Sequence, residues 1–337
     1  MHNAIMNPIN LADSFCKKYP QAIAGIEQVR MLKGKDIPDW PWWCFLPEKC
    51  WLILFAADRL DQPFTKSLLY ELQQLSVLGT WRYSKGIYTP HPSLLQALTE
   101  TPLSDTLPVD VLLRLPEWCI YIKTPGLVIS GTPLYGFWAM IRMGNTAADK
   151  SLYLLLHGLN GLEIETFPLR SASVSAIQDD MFYDGLDSLD ADPDVIETLK
   201  NSEHLSWLRK RKSDELSKLL SVLLYVCSDE PEIDSERQPG SYPVRPKPVK
   251  TKRGFRLFPA NGPRYWSVGE QMGQALERAE AAMLDNETVD MTTGRHVRAH
   301  LRRGHWHGFW KGKMDGSEER RFTYHWLPPQ IIGGRYT

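Results

Sequence analysis

Five of the nine histidines, His296, His300, His305, His307 and His325, fall within thirty residues near the C-terminal end of the chain. Interleaved with them are Arg295, Arg298, Arg302, Arg303, Arg320 and Arg321, with Trp306, Trp310 and Trp326. Imidazoles titrate near neutral pH, so His305 and His307 could serve as acid and base in RNA cleavage. Guanidiniums meet phosphates while flat rings stack on bases. On that reading His300, Arg302, Arg303, Trp306, Trp310, Arg321 and His325 would contact RNA. His296 and His300 have the i, i+4 spacing of a helical zinc pair, but no Glu lies between them, so the zinc-protease pattern fails and no metal is expected. A third, purely structural reading is a half-buried aromatic sheet whose histidines satisfy backbone or acidic groups. The residues alone leave all three open.

The elements that would position these side chains follow from local patterns. Residues 303–311 and 321–327 read as two strands of a hairpin joined by Gly312–Glu319. On a strand, His305, His307 and Phe309 would face one way and Trp306 and Trp310 the other, with Gly308 between them. If the hairpin pairs, His325 or a neighbour lies across from the histidine strand. Upstream, Gly254–Pro259 reads as a short strand, and Ser267 as the cap of a helix running to about Met283. Residues 228–252 hold Pro231, Pro239, Pro243, Pro246 and Pro248 with mixed charge, the composition of a linker. The division expected is an N-terminal domain, 1–227, the linker, 228–252, and a smaller C-terminal unit, 253–337.

Within the first unit, Trp118–Thr124, Tyr135–Met143, Leu152–His157 and Leu162–Phe167 read as four strands. Short turns at Pro125-Gly126, Gly144-Asn145 and Gly158–Gly161 separate them, which favours an antiparallel meander. Helical spacing marks 64–78, a shorter piece after Pro108, another around Leu11–Tyr19, and Leu216–Cys227, where Ser213 is the expected cap. Pro38, Pro41 and Pro47 among Trp40, Trp42 and Trp43 exclude a long helix there. The fold class expected is α+β: a meander sheet with helices, then a small α+β unit carrying the His/Trp-rich hairpin.

Composition narrows the function. The net charge is −1, so the chain as a whole is not an electrostatic glue for nucleic acid. The C-terminal unit is mildly basic, with 13 Lys/Arg against 9 Asp/Glu. Five cysteines without CxxC spacing argue against a disulfide framework and for a reducing, cytoplasmic compartment. No apolar run is long enough to span a membrane, and Met1–Asp13 lacks a secretory pattern. Gln178–Asp194 carries seven Asp and no Lys or Arg; Val195 and Asn201 stand where a calcium loop needs Gly and Glu, so a solvated loop is expected. The absence of a phosphate-binding GxxxxGK[ST] loop, a GxSxG elbow or a GxGxxG run argues against ATP-driven and serine-hydrolase chemistry, and no cofactor is expected.

Four stretches resemble a known family. They are LPEWCIYIKTPG (Leu115–Gly126) followed by Gly136-Phe137-Trp138, LLSVLLYVC (Leu219–Cys227), KRGFRLFP (252–259) leading to Trp266-Ser267-Val268-Gly269, and HVRAHLRRGHWHGFWKG (296–312) closed by Trp326-Leu327-Pro328-Pro329. They resemble the second kind of type V-A anti-CRISPR protein, with its plasmid-borne homologues, and the resemblance covers about residues 38–335 in order. The HVRAHL segment departs from that pattern, which puts a metal role for His296 and His300 further in doubt. The resemblance implies a bacterial cytoplasmic protein that lowers the amount of the type V-A effector nuclease. It would recognise the nascent N-terminal segment of the effector during translation and cause loss of its mRNA. The implied partners are that peptide, the mRNA and the ribosome, with no membrane. Trp118, Tyr121, Phe137 and Trp138 are then candidates to line a peptide groove. RNA cleavage by the histidine cluster and direct inhibition of the mature nuclease are the alternatives.

Overall fold

The computed structural model describes residues 7–59, 65–177, 179–180, 192–200, 202–252, 254–287, 300–313 and 320–332. Four helices come first: α1 (Pro8–Cys16), α2 (Pro20–Met31), α3 (Glu48–Ala57) and α4 (Lys66–Trp81). Asn7 caps α1 and Thr65 caps α4, each side chain accepting a backbone N–H of the first turn. Between α2 and α3 the Pro/Trp stretch is irregular, as its prolines dictate. Strand β1 (Gly86–Pro90), helix α5 (Pro92–Thr99) and a 3₁₀ turn (Val109–Arg114) follow. The strands β2 (Cys119–Lys123), β3 (Val128–Ile129), β4 (Thr132–Met143), β5 (Lys150–Gly158) and β6 (Gly161–Pro168) come next.

The four expected strands correspond to β2, β4, β5 and β6, and they pair antiparallel in that order. The whole sheet is larger and mixed. After α6 (Pro193–Lys200), α7 (Glu203–Cys227), β7 (Ile233–Ser235), β8 (Val249–Thr251) and β9 (Gly254–Arg256), the chain re-enters it through β10 (Arg264–Val268). The sheet order is β6-β5-β4-β2-β1-β10-β7, with β3 beside β4. β1 lies parallel to both β2 and β10. Each parallel pair is joined by a long excursion, as parallel geometry requires. Strands from both sides of residues 228–252 therefore share one sheet, and the buried cluster runs from Ala12 through Trp266 to Trp326.

Two expected helix starts move. α7 begins ten residues before Ser213, capped by Ser202, whose hydroxyl accepts from the Leu205 N–H. The Arg209–Lys212 cluster thus lies inside the helix. Ser267 belongs to β10, and α8 (Glu270–Glu287) starts after Gly269, whose positive φ turns the chain. The Glu232 carboxylate accepts the Gln271 and Met272 amides, filling the capping role expected of Ser267. The last turns of α7, Leu219–Cys227, are buried on every side, so this segment is a central post and not a surface helix.

The remaining strands are β11 (His300–Arg302), β12 (His305–Lys311), β13 (Arg321–Leu327) and β14 (Gln330–Ile332). β12 pairs with β13, and β11 with β14, both antiparallel. All five cysteines are free and buried. Burial raises every thiol, Cys16, Cys44 and Cys227 to about 12, so none is a poised nucleophile.

Candidate nucleic-acid interface

The β12–β13 hairpin has two chemically distinct faces. Pairing sets Trp306 opposite Trp326, His307 opposite His325, Gly308 opposite Tyr324 and Trp310 opposite Phe322. The inner face carries Trp306, Phe322, Tyr324 and Trp326, all buried. Gly308 admits the Phe322 ring, which would collide with any Cβ there. The outer face carries His305, His307 and Phe309; His307 and Phe309 are exposed, with ring centroids 5.8 Å apart. The alternation expected from sequence is thus present, and His325 lies directly across from His307.

Hydrogen bonds and an ion pair fix the hairpin to the body. The Tyr324 hydroxyl donates to the Leu224 carbonyl at 3.1 Å on the central post. The Trp326 indole donates to Thr101 Oγ1 at 3.0 Å. Asp229, just beyond α7, accepts from the Tyr324 amide at 2.9 Å, from Arg114 at 3.0 Å and from Arg321 at 2.8 Å. Burial would raise the Asp229 carboxyl, but the amide and the two guanidiniums outweigh it and hold it below the ordinary carboxylate value. Arg114 also donates to the Phe322 carbonyl, so one guanidinium bridges the 3₁₀ turn, the post and the hairpin.

At the hairpin tip the inner face runs past the core. Trp310 is 51% exposed and meets Phe322 edge-on at 5.2 Å. Arg320 lies 5.5 Å from the Trp310 ring centroid. Between the tip and the 3₁₀ turn is a cavity of about 470 Å³ lined by Pro108, Asp110, Val111, Arg114, Trp310, Arg320, Arg321 and Phe322. Among the described residues, no group of three or more His, Cys, Asp or Glu side chains is placed to hold a metal.

A family model matches residues 88–334, a span that takes in the sheet from within β1 onward, the central post and the hairpin; its description reads AcrVA2-like, anti-CRISPR type V subtype A2 family. The chain belongs to the AcrVA2-like anti-CRISPR family. It is 26% identical over 295 residues to Protein FinQ of Escherichia coli, covering 82% of this chain and 83% of that protein. The crystal structure of AcrVA2 superposes with a TM-score of 0.65 over 96% of this chain and 98% of that one, at 22% identity, a likeness of fold.

In this AcrVA2-like chain the four aromatic residues expected to line a peptide groove separate. Tyr121, Phe137 and Trp138 are core residues at 0–1% exposure and line no surface groove. β2 and β4 are interior strands covered by α4, and Trp81 packs edge-on against Trp138 at 5.7 Å. Tyr121 Oη instead meets the buried His157 Nδ1 at 2.9 Å. Trp118 alone reaches the surface: it is half-buried, and its indole donates to the Trp42 carbonyl at 3.0 Å. Trp42 is 60% exposed under the Arg245 guanidinium, 4.4 Å from its ring centroid. Arg30 lies over both Phe45 and Trp118. The β6 edge is partly occupied, because the Tyr70 hydroxyl takes the Ile164 amide and donates to the Leu162 carbonyl.

Of the residues expected to meet RNA, Trp306 is buried, Trp310 and Arg321 line the cavity, and His325 is half-buried on the outer face. Arg303 is exposed just before β12. His300 and Arg302 lie on β11, paired with Ile332 and Gln330. His296 and most of the acidic stretch 178–194 lie outside the described residues. Sequence reasoning missed Arg114, Asp229 and Glu117. Glu117 is fully buried, 2.5 Å from Arg264 and 3.1 Å from the Tyr88 hydroxyl. Burial pushes its carboxyl up to about 7 although Arg264, Tyr88 and Arg245 pull it down. The Pro-Glu-Trp run at residues 116–118 carried no sign that its Glu points inward.

Proposed function

We propose that this anti-CRISPR protein blocks production of the type V-A effector nuclease by binding the effector's nascent N-terminal segment and causing loss of its mRNA during translation. What carries the reading is membership of the AcrVA2-like family over residues 88–334, with the fold extending over nearly the whole chain. No helix among the described residues is long and apolar enough to cross a membrane. The peptide lies against the accessible aromatic surface of Trp42 and Trp118, where Arg30 and Arg245 add charge beside the rings. The outer face and tip of the β12–β13 hairpin, with Arg303, His305, His307, Trp310 and Arg321, meet the RNA. The hairpin's attachment to the central post holds the two surfaces in one body, so capture of the peptide brings the second surface to the transcript.

The test is binding of the purified protein to a peptide matching the effector's N-terminal segment, against a scrambled peptide. Selective binding at micromolar concentration or tighter is expected. Trp42→Ala and Trp118→Ala each weaken it about tenfold, corresponding to roughly 1.4 kcal/mol. Equal binding of the two peptides contradicts the reading.

A further inference from the structure

We infer that the cleft between the hairpin tip and the 3₁₀ turn is a nucleoside-phosphate site, with a base against Trp310 and its phosphate on Arg320 and Arg321. The inference deepens the RNA-contact reading and rests on it for the source of the nucleotide. Three observations carry it. The cavity, about 470 Å³, is of the size that holds small ligands. One wall is a flat indole, half exposed and held edge-on by Phe322 at 5.2 Å, so a stacking surface is already in place. Among the described residues the other wall is cationic beyond what its carboxylates balance. Asp229 is shared by Arg114 and Arg321, and Asp110 is held by Lys150 at 2.6 Å. The described contact of Arg320 is the Trp310 ring. Arg321 is 71% exposed and uses one terminal nitrogen on Asp229, which leaves donors for a phosphate.

The geometry suits an unpaired nucleotide. A base in a duplex is already stacked on both sides and cannot lie on Trp310, so single-stranded RNA or a free mononucleotide is the ligand chemistry. The same chemistry has these two sources, and the experiment separates them.

Full-length protein is titrated against a labelled single-stranded oligouridine of about 12 nucleotides, within the span such surfaces cover. Uridine monophosphate is titrated in parallel by calorimetry. Trp310→Ala weakens oligouridine binding about tenfold or more, while Trp310→Phe keeps most of it. Arg320→Gln, which removes an exposed side chain, lowers the salt dependence by about the 0.7 logarithmic units expected for one phosphate contact. Unchanged RNA binding by Trp310→Ala and Arg320→Gln overturns the cleft and leaves RNA contact elsewhere on the hairpin standing. Trp310-dependent binding of the mononucleotide with no RNA binding keeps the cleft and removes the RNA reading. If the wild-type protein binds neither probe, both fall.

Discussion

Asp229 joins three elements through one carboxylate, and its removal tests how the hairpin is held. Asp229→Asn would leave the Arg114 guanidinium partly desolvated without its charge partner, at a cost of about 1–3 kcal/mol. The Tyr324 amide should then exchange its hydrogen faster relative to amides of β5, and unchanged exchange would show that Asp229 does not clasp the hairpin. Glu117 makes a pH prediction of opposite sign to the usual carboxylate. Its folded value is raised to about 7, so the folded state holds a proton that the unfolded chain has lost above its ordinary value of 4.5. Its contribution to stability is greatest below about 4.5, falls as pH rises to about 7, and is flat beyond. Urea midpoints of wild type minus Glu117→Gln should therefore decline across that window; a flat difference would contradict the buried carboxylate. Neither residue was legible in the sequence, because Arg114 and Asp229 are 115 positions apart and Glu117 and Arg264 are 147 apart.

The hairpin itself was legible element by element. A two-residue alternation placed His307 and Phe309 on one face and Trp306 on the other, and the pairing follows. The meander was legible for the same reason, since its turns are short and its partners are neighbours in sequence. β1 and β10 were not, because their pairing depends on partners reached through long crossovers. The cap positions misled in two places: Ser213 has a hydroxyl but lies mid-helix, and the cap role at α8 is filled by Glu232, on a different segment. Tight packing inside the hairpin gives another expectation. Gly308→Ala places a methyl against the Phe322 ring. Over-packing of this kind costs about 1–3 kcal/mol, read as a lowered urea midpoint, and an unchanged midpoint would mean that the ring yields freely.

At the scale of the molecule, strands from both halves of the chain share one sheet, and the hairpin leans on the helix that ends the first half. That continuity explains how an exposed aromatic surface at Trp42 and Trp118 and a cationic cleft at Trp310 could act in one protein without a hinge between them. The sequence resemblance pointed to the family correctly, but residue spacing could not tell which tryptophans surface. Tyr121, Phe137 and Trp138 share a motif with Trp118 yet fill the interior, because burial is decided by what covers the strand. If the hairpin serves the transcript, alanine at Arg302, Arg303, His305 and His307 should preserve peptide binding and abolish transcript loss in cells. Retained transcript loss would remove that division of labour.

The most direct measurement follows effector mRNA in bacteria producing this protein, using three versions of the effector's first codons: natural, synonymously recoded, and frameshifted then restored. Recoding keeps the peptide and changes the RNA, whereas the frameshift keeps nearly all the RNA and changes the peptide. Recognition of the nascent segment requires that mRNA be lost from the natural and recoded versions and persist in the frameshifted one. Loss from the frameshifted version, or persistence of the recoded one, would contradict it.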